Sequence, residues 1–252
     1  MTLGETAADR VVYDITGADA LTFLQGMLSN DVAPLGRGAG IVWAALLTPQ
    51  GKYLADFFVI SLNGALLLDI KDSIAAATVK RLMMYRLRAN VQIMPSDRLV
   101  TRGLGALPDG ALGDPRHAAL GWRSYGAPGA PAVTDWDAIR VQFCIPETGI
   151  ELIADDSYLL ECGFERLHGV DFRKGCYVGQ EVTARMKHKT ELRKGLARVM
   201  VGGAAAVGAE ILAGDKTVGR LFTQSGGFGI AHLRFDQATG DMNAGTAKVS
   251  LL

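Results

Sequence analysis

The chain has 252 residues, and its 26 Lys and Arg balance 26 Asp and Glu. It therefore lacks the surplus of clustered cations by which a protein holds nucleic acid through counterion release or lies on an anionic membrane. Hydrophobic residues make up 49% and charged residues 21%, which excludes extended disorder and supplies side chains for a large core.

Residues 2–10 are polar and acidic, unlike the basic, apolar-centred start of a secretory leader or the Arg-rich start of a transit peptide. A cytoplasmic location is the expectation. From Gly17 to Ser29 the spacing of Leu21, Leu24 and Leu28 predicts a helix, with Thr16 as N-cap and Asp19 completing a short capping box. Residues 41–48 and 53–61 read as strands, and Asn63-Gly64 is a two-residue hairpin signal before a strand over 65–70. Ser73 is placed to cap a second helix striped by Ile74, Ala77, Thr78 and Leu82, and alternation over 87–93 reads as a strand. No apolar run approaches the roughly 18 residues of a membrane span.

From Gly103 to Pro131 the chain fills with Gly, Pro and Ala, which predicts loops around one short strand. Beyond residue 195, β-prone runs over 196–201, 217–223, 229–233 and 247–251 are broken by glycine turns, the pattern of a small barrel or sandwich. Cys144, Cys162 and Cys176 form no C-x-x-C pair, and His117, His168, His188 and His232 are scattered, so neither a disulfide framework nor a metal site is expected.

One segment is chemically distinctive: Arg173-Lys174-Gly175-Cys176-Tyr177-Val178-Gly179-Gln180-Glu181, with Ala184-Arg185 after it. Glycines on both sides let the backbone turn tightly around the thiol. Lys174 and Arg185 can supply the positive potential that favours a thiolate nucleophile or ligand. Residue chemistry alone leaves two readings: a reactive Cys176, or a small buried thiol beside a solvated basic loop.

The run Lys174 to Glu181 with Ala184-Arg185 resembles the signature K-G-C-Y-x-G-Q-E-x-x-A-R of the YgfZ-type folate-binding proteins, relatives of the glycine-cleavage aminomethyltransferases. Phe23-Leu24-Gln25-Gly26 with Asn30-Asp31 resembles that family's first helix, Gln50-Gly51-Lys52 to Asp56 its first hairpin, and Arg140 with Ile145-Pro146-Glu147 a strand-to-loop segment. Glu161 resembles a glutamate about fifteen residues before the cysteine motif.

The resemblance implies an α+β fold: an aminomethyltransferase-like ring of two α+β modules, one inserted in the other, with a small C-terminal β-barrel around a central channel. The implied boundaries are a split domain over 1–45 and 135–190 carrying the cysteine motif, an inserted domain over 46–100, a connection over 101–134, and the barrel over 191–252. The implied function is a tetrahydrofolate-binding accessory factor in assembly or repair of [4Fe–4S] proteins. Its partners would be iron–sulfur client proteins or assembly factors, with no stably bound metal, direct nucleic-acid contact or membrane. Cys176, Lys174 and Arg185 would carry the chemistry, and Asp56, Arg140, Gln142, Glu161, Tyr177, Gln180 and Glu181 would bind the cofactor or order its loop.

Two departures argue against glycine-cleavage aminomethyl transfer. Ala55-Asp56 offers one carboxylate where those transferases typically show two, and Gln142 stands where a glutamate contacts the pterin; an amide cannot hold its negative charge. The alternatives are a folate-dependent one-carbon transferase centred on Asp56, or a non-catalytic module linked to tRNA modification that works through surface residues such as Arg173 and Lys187. Basic residues Lys187, Lys189, Arg193 and Lys194 are further expected to attract a folate polyglutamate tail.

Overall fold

The computed structural model describes residues 4–188 and 191–252, so Lys189 lies outside the described residues. The chain divides into two compact units, one running to Val133 and including Glu165–Gln180, the other made of Thr134–Phe164 and Glu181–Leu252.

The first unit holds, in order, β1 (Glu5–Thr6), β2 (Arg10–Thr16), α1 (Ala20–Met27), β3 (Gly40–Leu47), β4 (Tyr53–Leu62), β5 (Ala65–Lys71), α2 (Asp72–Tyr85), β6 (Gln92–Pro95), β7 (Leu99–Gly103), β8 (Leu112–Gly113) and β9 (Trp122–Gly126). An antiparallel sheet of order β3-β4-β5-β2-β6 is set by the Asn63-Gly64 turn, whose two positive φ angles (50° and 78°) suit a primed hairpin. Its period-2 alternation sends Ala44, Leu46, Phe57, Val59, Leu68 and Ile70 to one face, where they pack with Leu24, Leu28, Ala75 and Leu82.

Charge sits on the other side of this sheet. Asp69 of β5, fully buried, accepts from Arg10 at 2.6 Å, Arg123 at 2.8 Å and Tyr125 at 3.0 Å. Arg123 also reaches Asp114, which Arg116 grips through two nitrogens, and all three guanidinium groups lie 4.1–5.3 Å from the Phe58 ring centre. Burial acts to raise the Asp114 pKa, but Arg116 and Arg123 outweigh it and hold the carboxyl at about 2. The network ties β5 to β9, and β9 belongs to a second sheet of order β1-β7-β9-β8.

The second unit contains α3 (Trp136–Phe143), α4 (Gln180–His188, whose first residue belongs to the first unit) and a closed barrel of β10 (Lys194–Gly202), β11 (Ala209–Ala213), β12 (Lys216–Ser225), β13 (Phe228–Arg234), β14 (Met242–Ala244) and β15 (Ala247–Leu251). Strands alternate Val199, Val201, Leu221, Ala231, Leu233 and Val249 into its core.

Several expectations are corrected. A boundary at 45/46 cuts through β3, which pairs continuously with β4 from Gly40↔Ser61 to Leu47↔Tyr53; Gln50-Gly51 is a hairpin turn within one sheet. Residues 101–134 are more than a connection, since they supply β8, β9 and the buried Arg123. The segment 135–190 is divided between the units. Thr16 ends a strand, and Asp19 accepts the Asn90 N–H at 2.8 Å where a capping box was expected. Residues 87–91 turn, with Leu87 left-handed at φ 47°, and the Arg140 segment is helical.

Candidate functional site

Residues 165–179 form no helix or strand, so their backbone groups need other partners. The segment 25–31 provides them. Ser29 donates to the Gly169 carbonyl at 2.7 Å and takes the Asp171 N–H on its own carbonyl at 3.0 Å. Asn30 donates to the carbonyls of His168 at 2.7 Å and Trp43 at 2.8 Å. The Gln25 amide donates to Lys174 O and Asp31 Oδ1 and accepts from the Val32 N–H.

Lys174 completes the exchange. Its Nζ donates to the carbonyls of Gln25 at 2.5 Å and Leu28 at 2.6 Å, and lies 5.0 Å from the Tyr177 ring centre. Carbonyls in the last turn of a helix lack intrahelical donors and carry its negative dipole end, so an ammonium satisfies both needs at the end of α1. Burial pushes the Lys174 pKa down to about 8, against the opposing pull of Asp31 and Asp171. Expected to tune the thiol, Lys174 spends its donors on α1 and acts as an anchor.

Beyond that anchor the loop exposes Cys176 and buries Tyr177. Gly175 and Gly179 adopt φ of 93° and 83°. At Gly179 a Cβ would also meet the Thr48 carbonyl oxygen at 2.5 Å, so the loop presses backbone to backbone against the β3–β4 hairpin. Val178 packs into the first unit's core, and Gln180 Oε1 accepts the Tyr177 N–H at 3.3 Å. The first-helix, hairpin and cysteine motifs, scattered in sequence, thus meet around one exposed sulfur.

The other two thiols are placed differently. Cys162 is buried, which pushes its pKa up to about 12, and Cys144 is half-buried at the left-handed cap of α3. No group of three or more His, Cys, Asp or Glu among the described residues could hold a metal ion.

The residues expected to grip a cofactor are already committed. Asp56, 4% exposed, accepts from Trp43 Nε1 at 2.8 Å and Tyr53 OH at 2.7 Å, one donor on each oxygen. Arg140 directs all five of its N–H donors within the second unit: to Asp137 twice, and to the Ile145 carbonyl, Glu151 and Thr223 at 2.8–3.0 Å. Burial acts to lower the Arg140 pKa, and the Glu151 carboxylate, with smaller help from Glu147 and Asp137, more than reverses it. Arg140 has no donor left for a pterin ring and Asp56 is almost wholly buried, so these two do not fit the task of holding tetrahydrofolate.

Gln142 is exposed on α3, and Glu181 and Arg185 are exposed on α4. Glu161 lines a cavity of about 640 Å³ beside the barrel, 3.4 Å from both Lys194 and His232. Sequence reasoning missed Ser29 and Glu151. Ser29 lies beside the recognised Asn30-Asp31 pair, and its neighbour was the one signal available; Glu151 belongs to no motif.

A family model described as the CAF17 C-terminal β-barrel domain matches residues 193–252. The mouse protein named iron–sulfur cluster assembly factor IBA57, mitochondrial, is 29% identical over 96% of this chain and 80% of its own length. The human protein of the same name is 29% identical over 93% and 78%. A homologue from Mycosarcoma maydis reaches 30% over 73% of this chain and 54% of its own length.

All three names carry the mitochondrial designation, which overturns the cytoplasmic expectation. That expectation rested on the character of residues 2–10, a property that says nothing of where a folded domain works. Among solved structures, the glycine cleavage system aminomethyltransferase T from Bartonella henselae superposes with a TM-score of 0.74 at 13% identity, covering 97% of this chain and 82% of that one. The chain has the aminomethyltransferase fold, and its residues 193–252 match a CAF17-type C-terminal barrel.

Proposed function

We propose that this protein is an iron–sulfur cluster assembly factor acting on [4Fe–4S] proteins, and that the Cys176 thiol is its working group. One observation carries the reading: of three cysteines, Cys176 is the exposed one, and it is held on a loop that Lys174 anchors to α1. The names of the mouse and human relatives support the assembly role and favour it over the folate-binding YgfZ-type branch.

Clusters held stably take four ligands, so one thiolate suits transient contact with a cluster, a persulfide or a client thiol. Tetrahydrofolate stays outside the proposal because Arg140 has no donor left and Asp56 is buried. The transferase alternative loses ground for the same reason, since Asp56 presents 4% of its surface.

The test is reactivation of a purified apo-[4Fe–4S] enzyme by ferrous iron, sulfide and thiol, with and without this protein. Wild type is expected to accelerate recovery, Cys176→Ala to give no acceleration, and Asp56→Asn to retain it. Acceleration by Cys176→Ala equal to wild type sinks the reading, and loss in Asp56→Asn alone transfers it to the one-carbon chemistry.

A further inference from the structure

The chain is neutral as a whole, yet residues 73–96 contain Lys80, Arg81, Arg86 and Arg88 and no acidic residue. The inner side of α2 is spent on the sheet: Ala75, Thr78 and Leu82 are buried, and Ile74, Val79 and Met83 pack beside them. Its outer side ends in a patch of mixed character. Lys80 and Arg81, then Met84 and Tyr85, follow at i, i+1, i+4 and i+5, which places them on one helical face. Leu87 and Arg88 continue in the turn beyond.

Met84 is 71% exposed and Leu87 86%. Lys80, Arg81 and Arg88 are exposed and have no acidic partner among the described residues. Leu87 is left-handed at φ 47°, a conformation that favours glycine. A leucine held there and turned outward adds nothing to this chain's core and carries backbone strain.

From this charge and chemistry we infer that the C-terminal turn of α2, with Leu87 and Arg88, docks an acidic, apolar-faced segment of a partner protein. Methionine, tyrosine and arginine are the residues enriched in the cores of protein interfaces, and methionine adapts to varied partner shapes. A membrane surface fits less well. An interfacial helix lays a whole apolar face into lipid, whereas the apolar face of α2 is already inside the protein. The unpartnered cations specify the sign of the partner's charge. The inference does not depend on Cys176.

The experiment uses full-length protein and a fluorescein-labelled helical peptide of leucine and glutamate, its leucine–lysine counterpart, and vesicles of phosphatidylcholine and cardiolipin in equal parts. The acidic peptide is expected to bind roughly tenfold or more tighter than the basic one, and to weaken with added salt. Arg81→Glu with Arg88→Glu should abolish that preference, and Leu87→Ser should weaken binding without altering the charge. Cys176→Ala should bind as wild type does. Because every substituted side chain is exposed, unchanged thermal melts are the control for folding. Equal binding of both peptides, no binding of either, variants that bind like wild type, or association with vesicles in preference to the acidic peptide would each overturn the inference.

Discussion

The Cys176 loop and the Arg140 cluster were both flagged by the sequence, and they are built in opposite ways. Around Arg140 every strong polar group is used up internally: five guanidinium donors are placed, and Glu151 accepts from Arg140, the Glu147 N–H, and the Thr223 N–H and hydroxyl. Around Cys176 the hydrogen bonds belong to the anchors, Lys174, Gln25, Ser29 and Asn30, and the sulfur is left outside. A motif arginine with no unspent donor is architecture. A motif cysteine exposed on an over-determined loop is positioned to meet something else, which is how preorganised sites are supported.

The comparison can be broken by substitution, and the largest expected effect is at Arg140. Arg140→Ala leaves Glu151 buried without its cation and should cost about 3–5 kcal/mol by urea unfolding; a loss below about 1 kcal/mol would mean that the cluster is not structural. Next is Gly179→Ala, which forces a left-handed alanine against the Thr48 carbonyl and should cost about 2 kcal/mol or more. A neutral outcome there would show that the loop does not press on the hairpin.

The buried charges of the first unit sharpen the contrast through pH. The folded Asp114 carboxyl titrates at about 2, below its ordinary 3.8. Its contribution is therefore complete above pH 3.8 and is lost as pH falls toward 2, roughly 2 kcal/mol in all. Asp114→Asn should flatten that part of the acid-unfolding profile.

Lys174 is also shifted down, but by burial of its own positive charge. Its folded pKa, about 8, lies below the ordinary 10.5, so between these values the unfolded chain binds more protons and stability rises with pH. That rise should be absent in Lys174→Met, whose cysteine loop should also exchange amide hydrogens several-fold faster; unchanged exchange would remove Lys174 as an anchor. The smallest expected change is at the sulfur itself, where Cys176→Ala should alter stability by no more than about 0.5 kcal/mol.

Much of this was legible in the sequence, for identifiable reasons. The Asn63-Gly64 hairpin and the alternating strands of the barrel are local signals, and local signals survive folding. The Lys174–Glu181 motif announced its glycines correctly, since both take the positive φ that the turn requires. The role of Lys174 was misassigned because the partners of its ammonium lie nearly 150 residues away, on carbonyls that no side-chain pattern reveals. Arg140 was misread for a related reason, as its saturation depends on Thr223, 83 positions further on. The strand expected over 87–93 begins only at Gln92, because alternation cannot tell an apolar residue facing a core from one, Leu87, facing outward. The limit at 45/46, implied by the resemblance, failed because it falls inside β3, whose pairing with β4 runs on to Leu47.

The most direct test places two variants side by side in cells lacking the protein, at matched expression, with activity of a [4Fe–4S] enzyme as readout and the melting temperature of each purified variant measured in parallel. Cys176→Ala should melt like wild type and fail to restore enzyme activity. Arg140→Lys should melt lower and restore activity in proportion to the protein that remains folded. Full restoration by Cys176→Ala would contradict the account, because the one exposed thiol of the chain would then have no part in its work.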